Sequence, residues 1–252
     1  MRDDLLDAQA SVDWAKAQIP FMEKRFKTWE RSRPYAVVTE QDLDTGDSVV
    51  IVQRTRPADL SFNVEAGIII HAIRSGLDLL AAALARRKGV IPNRDTHFPI
   101  FQTIVGFNDV ARGIDGAKCK AWLIESDRLA IKALRPYGGG DEFLYPFHHL
   151  DTVRKHERLV SIVPTIRNFV VSEWGERPTL GNLTWEGSHD KAVLFRVPAK
   201  IRLRITESNP SLSYAIAFSD VVEQTLADKK PVFGSLRGYA ARTTEIIDMF
   251  DK

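Results

Sequence analysis

The sequence predicts an α+β protein: a helical bundle around a buried central helix, at about 62–88, packed with an antiparallel β-layer. Three observations predict it. Ile69, Ile73, Leu77, Leu80 and Leu84 form an apolar ridge at three-to-four spacing. Ile68, Ile70, Leu79 and Ala81 to Ala83 make most of that segment's remaining surface apolar as well, the pattern of a buried helix. Further along, Ile201, Leu203 and Ile205 alternate with Arg202, Arg204 and Thr206, and Leu212, Tyr214, Ile216 and Phe218 alternate in the same way, which is the period of half-exposed strands.

The elements follow in order. Leu5, Gln9, Val12, Ala15, Ile19, Met22, Phe26 and Trp29 share one helical face, so residues 1–32 are expected to be helical, with a kink or break at Pro20. Two β-rich runs over 35–54 flank Asp44-Thr45-Gly46-Asp47, which has turn chemistry, and predict a hairpin. The central helix follows, with Ser61 as its expected N-cap, Arg86, Arg87 and Lys88 in its last turn and Gly89 as its C-terminal cap. Residues 90–117 read as loop with a short helix around 107–112. A helix over 118–134 is expected to break near Ser126, and another is expected over 141–163, after Gly138-Gly139-Gly140. Strands fill 165–222, with Glu207-Ser208-Asn209-Pro210 as a turn, and an amphipathic helix closes the chain over 235–251. No linker, repeat or low-complexity segment divides the chain, so the 252 residues are expected to form one domain.

Composition narrows the function classes. A formal net charge of +2 argues against a general nucleic-acid coat and leaves room for a local basic patch. Cys119 is the sole cysteine, so an internal disulfide and a cysteine-rich zinc site are excluded. It stands between Lys118 and Lys120 with no histidine close in sequence to serve as its base, and is expected to be inert. The acidic N-terminal stretch is unlike a secretory signal, and no apolar run reads as a membrane span, so a cytoplasmic protein is expected.

The chemistry-bearing residues gather on two helices. His71, Arg74, Ser75 and Asp78 lie at offsets of three, four and seven, which return to one face of the central helix. Polar groups on an apolar helix require partners, and Arg74 is spaced to pair with Asp78. On the later helix, His149, Thr152 and His156 share one face, and Asp151, Lys155 and Arg158 share another as a surface pairing. A histidine facing an arginine and an aspartate suits acid–base chemistry on a phosphodiester. Arg154, Lys155 and Arg158 with Lys200, Arg202 and Arg204 suit a basic surface for RNA or another acidic partner, and equally the ordinary polar outer face of a sheet. No phosphate-cradling loop, nucleophile elbow or zinc-binding spacing is present, so no metal or cofactor is expected.

The segment His71-Ala72-Ile73-Arg74-Ser75-Gly76-Leu77-Asp78-Leu79-Leu80-Ala81 and the later Asp151-Thr152-Val153-Arg154-Lys155-His156-Glu157-Arg158 resemble paired helices of uncharacterised bacterial and phage proteins, chiefly of actinobacterial type. Phe98-Pro99-Ile100 and Arg135-Pro136-Tyr137 also look alike. The first segment is similar to the signature of HEPN-type helical domains, many of them RNases of toxin or defence systems acting as dimers. There an arginine is followed after four to six residues by a histidine. Here Leu79, Leu80 and Ala81 hold those positions. The resemblance implies an HEPN-like protein acting on nucleic acid in a phage or defence context. Arg74 would bind phosphate, His156 (or His71) would serve as acid–base group and Asp78 would orient. RNA or a host or phage protein would be the partner, with a homodimer as the assembly. The alternative reading is a non-catalytic binding or regulatory protein whose polar stripe is structural.

Overall fold

A computed structural model describes residues 2–157, 159–166, 191–199, 212–217 and 231–251. It shows an α+β protein. The described residues group into two compact units. One comprises residues 1–21, 64–160 and 233–252, and the other 22–63 and 161–232. The chain passes between them at four places, and two of these fall inside the long helices α1 (Leu6–Arg31) and α2 (Ser61–Arg87).

The first unit is helical. Besides residues 6–21 of α1 and 64–87 of α2 it contains α3 (Ile104–Phe107), α4 (Ala117–Trp122), α5 (Glu125–Ala133), α6 (Leu144–His156) and most of α7 (Val232–Asp248). On α2, Ile69, Ile70, Ile73, Leu77, Leu80 and Leu84 are buried, so the apolar ridge is the core of this unit. By length and composition α2 is also apolar enough to cross a membrane, which corrects the expectation that no run reads as a span. Helices α1 and α2 touch closely where Gly76 meets Val12 and Ala8, and Ser11 Oγ donates to the Ala72 carbonyl at 2.8 Å.

The second unit holds the β structure. Strands β1 (Tyr35–Gln41) and β2 (Ser48–Arg54) form the expected hairpin, in register from Tyr35 opposite Arg54 to Gln41 opposite Ser48. Gly46 turns it with φ of 75°, a conformation a Cβ would strain. β4 (Lys191–Val197) pairs antiparallel with the other edge of β2, with a bulge between Val50 and Ile51. β3 (Ser161–Ile166) and β5 (Leu212–Ala217) form a separate antiparallel pair. Phe26 packs against Phe62 and Trp29 against Tyr35, with ring centroids 5.0 and 6.2 Å apart.

Several boundaries differ from the sequence reading for identifiable reasons. Helix α1 runs unbroken through Pro20, whose ring faces solvent. Asp59 rather than Ser61 caps α2, accepting from Ser61 N at 2.8 Å. The short helix predicted at 107–112 lies earlier, at α3, capped by Thr103. The helix predicted at 118–134 breaks at Leu123–Ile124, ahead of Ser126. Helix α6 starts after Asp141, whose carboxylate accepts from Phe143 N and Leu144 N. It stops at His156, and residues 161–163, expected to be helical, belong to β3. The predicted strand at 201–206 and turn at 207–210 lie outside the described residues.

Candidate functional site

The polar stripe on α2 meets α6 and the loop at Phe98. Three residue pairs define the α2–α6 contact: Gly67 with Arg154, His71 with Asp151 and Arg74 with His148. As the α2 number rises the α6 number falls, so the helices run antiparallel here. A Cβ at Gly67 would lie 2.4 Å from Arg154 Cδ, so a side chain there would displace the flexible Arg154 rather than the helix backbone.

Arg74 is the most enclosed member, only 4% exposed. Its Nε donates to His148 Nδ1 at 3.3 Å, its Nη1 to Asp78 Oδ1 at 2.6 Å and its Nη2 to the Phe98 carbonyl at 3.1 Å. Asp78 Oδ1 also accepts from Phe98 N at 3.0 Å and lies 3.8 Å from His97 Nδ1. The loop that supplies Phe98 is fixed farther on. Phe101 N donates to the Pro136 carbonyl, Gly138 N donates to the Phe101 carbonyl, and the Phe107 and Tyr137 rings pack at 4.7 Å.

On α6, Asp151 is buried and holds three basic groups. His71 Nδ1 stands 3.0 Å from Oδ1, Lys155 Nζ 2.6 Å from Oδ2 and Arg154 Nε 3.7 Å from Oδ1. This corrects the expectation of an ordinary surface pair between Asp151 and Lys155. His71 keeps its other edge open, with its side chain 42% exposed. The stripe is therefore not evenly buried: Arg74 is enclosed, while His71, Ser75 and Asp78 are half-buried.

These groups border an open cleft of about 320 Å³ within the helical unit. Arg74, Asp78 and His97 line one part of it, and His148, Asp151, Thr152, Lys155 and His156 line another. Phe98 to Phe101, Asp95, Arg112, Lys118, Cys119 and Trp122 complete the wall. The volume suits a small ligand or one nucleotide unit of a longer one. Four cations face three carboxylates and three histidines, so the cleft is polar and only mildly positive.

Burial, and then the Arg74 charge, push His148 down to about 4 from its ordinary 6.5, so this ring is neutral near pH 7. Burial raises the Cys119 thiol, with Lys118 only partly opposing, so the cysteine is a wall residue rather than a thiolate. Among the described residues no group of three or more metal-ligating side chains gathers.

Of the sequence-predicted residues, Arg74, Asp78, Lys155 and His156 line the cleft. His71 reaches Asp151 without lining it, and Arg154 lies over Gly67. Arg158, Lys200, Arg202 and Arg204 lie outside the described residues. The sequence reading gave His148 and His97 no role at the site. The α6 residues at the cleft are His148, Asp151, Thr152, Lys155 and His156, so Thr152 and His156 of the predicted face reach it and His149 does not. His149 instead stacks on Tyr145 at 6.1 Å. The buried series Leu144, Phe147 and Leu150 carried the signal, because it fixes which positions of α6 turn inward.

No protein-family model matches the chain, and no curated protein or solved structure matches it.

Proposed function

We propose that the cleft engages the phosphodiester backbone of RNA and that the protein is an HEPN-like, RNase-type nucleic-acid-acting protein. One observation carries this reading: Arg74 and His156, from different helices, line the same solvent-open space. Lys118, Lys155 and Arg112 line it too, which adds attraction for an anion. The near balance of charge fits a contact with one or two phosphates, not a long track. The histidine absent at Leu79 to Ala81 has a spatial counterpart in His148, which α6 brings against Arg74.

In this reading His156 takes the proton of a ribose 2′-hydroxyl as that oxygen attacks phosphorus. The 5′-oxygen leaves and takes up a proton from water. Arg74, held by Asp78, and the flanking lysines stabilise the charge that develops on phosphorus. The test is cleavage of single-stranded RNA by the wild type and by His156→Ala. The wild type cleaves, and the variant is slower by about 10²-fold or more. Equal rates, or no cleavage by either protein, would overturn the catalytic assignment.

One observation favours a non-catalytic binding or regulatory role. Arg74 commits Nε, Nη1 and Nη2 to internal partners, as a structural brace does. RNA binding without cleavage, unchanged in His156→Ala, is the outcome that selects it.

A further inference from the structure

We infer that His148 is a fixed hydrogen-bond donor of the cleft, locked by Arg74 in the neutral tautomer that carries its proton on Nε2. The argument rests on donor and acceptor identity. A guanidinium has N–H groups only and cannot accept. The Arg74 Nε–H points at His148 Nδ1 from 3.3 Å, so Nδ1 must present a lone pair. A neutral imidazole with its lone pair on Nδ1 has its proton on Nε2.

A second proton would have to sit on Nδ1, facing the Arg74 N–H and its positive charge. The groups around the ring are Arg74 and Asp78 from α2, with Asp151 and Lys155 from α6. The carboxylates favour protonation and the cations oppose it, and burial outweighs both, which agrees with a ring neutral through the physiological range. His71 is the opposite case in the same protein. Its Nδ1 meets the Asp151 carboxylate, an acceptor, so the neutral His71 ring carries its proton on Nδ1.

His148 therefore offers the cleft one N–H at constant charge and exchanges no proton with a ligand. It suits an anionic oxygen, and the nucleic-acid reading above, on which this part rests, makes that oxygen a non-bridging phosphoryl oxygen. His148 is then a positioning residue that grips the phosphate, while proton transfer stays with His156.

Long-range proton–nitrogen correlation spectra of the full chain, labelled with ¹⁵N-histidine and recorded from about pH 5 to 8, read the tautomers directly. The His148→Gln variant identifies the His148 signals. The expected spectrum shows an Nε2–H ring that does not titrate in this range. A His148 ring that titrates in this range, or that carries its proton on Nδ1, overturns the inference. Binding of an RNA oligonucleotide with 2′-O-methyl sugars, which cannot be cleaved through the 2′-oxygen, followed by fluorescence anisotropy, tests the grip. His148→Gln keeps an N–H in place of Nε2–H, whereas His148→Asn keeps only an acceptor for Arg74. The Asn variant is expected to bind about tenfold more weakly and the Gln variant about as well as wild type. The reverse order overturns the inference, because the ring then only braces Arg74. Thermal unfolding of both variants controls for the fold. If the spectrum shows the locked tautomer and none of the proteins binds the oligonucleotide, the RNA reading fails and the donor assignment stands.

Discussion

Arg74 and Asp78, one turn apart on α2, reach the same residue from two sides: Arg74 donates to the Phe98 carbonyl while Asp78 accepts from the Phe98 N–H. The 2.6 Å bond between their side chains closes this ring of contacts. The pair is thus a clamp on the loop that forms one cleft wall. Removing Asp78 leaves a buried guanidinium short of a partner and frees the Phe98 amide. Asp78→Ala is expected to destabilise the protein by about 1–3 kcal/mol, the cost of stranded polar groups. Asp78→Asn, which still accepts from Phe98 N, should lose less. Urea unfolding measures both, and equal midpoints for the two variants would contradict the clamp.

The helical core was legible in the sequence because α2 writes its burial twice, as an apolar ridge and as a polar stripe needing partners. Arg74 and Asp78 pair at one-turn spacing, and that too is local information. The facing residue was not legible in the same way. His148 and His149 are adjacent, and either begins a three-four-seven stripe. Only the buried Leu144, Phe147 and Leu150 choose between them. The loop contact at Phe98 uses backbone atoms, which leave no mark on residue type. The two-unit organisation was hidden because its crossings leave no linker, two of them falling inside α1 and α2.

Acid should destabilise the protein in a window set by His148. Its folded pKa is depressed to about 4, while an unfolded chain protonates it near 6.5. Between those values the unfolded state binds the extra proton, so stability is complete above about pH 6.5 and falls as pH drops toward 4. The shift corresponds to a loss on the order of 3 kcal/mol. Carboxylates such as Asp4, whose pKa is lowered from 3.8 mainly by its bond to Arg87, contribute only at lower pH. Denaturant unfolding at several pH values should show the slope in wild type and a flatter profile in His148→Gln. Parallel profiles would count against a neutral His148.

Gly76 should resist any side chain. A Cβ there would lie 2.6 Å from Val12 Cγ2 and 3.1 Å from the Ala8 carbonyl oxygen, so α1 and α2 would have to separate. Alanine gains about 1 kcal/mol in helix propensity over glycine. Overpacking costs about 1–3 kcal/mol and wins where backbone is the obstacle. Gly76→Ala is therefore expected to lower the melting temperature, and Gly76→Ala with Val12→Ala to recover part of the loss. A melting temperature raised by the single substitution would show that the helices part freely.

Arg87 ties the two ends of the described chain to the end of α2. Its Nε and Nη2 bond the two Asp4 carboxylate oxygens at 2.6 and 3.1 Å, and its Nη1 bonds the Phe250 carbonyl at 2.9 Å. Arg2 N adds a bond to Asp251 beside it. This forked geometry is particular to a guanidinium, since lysine offers a single point charge. Asp4 is partly exposed, so solvent screens the pair, and most of the strength lies in the combined hold on both partners. Arg87→Lys is expected to cost about 1–2 kcal/mol despite conserving charge. The loss should persist in high salt, because the Phe250 contact is not an ion pair. Hydrogen exchange should quicken at the start of α1 and the end of α7 while the middle of α2 keeps its protection. Exchange that quickens evenly across the helical unit would mean that Arg87 supports the core as a whole rather than fastening its termini.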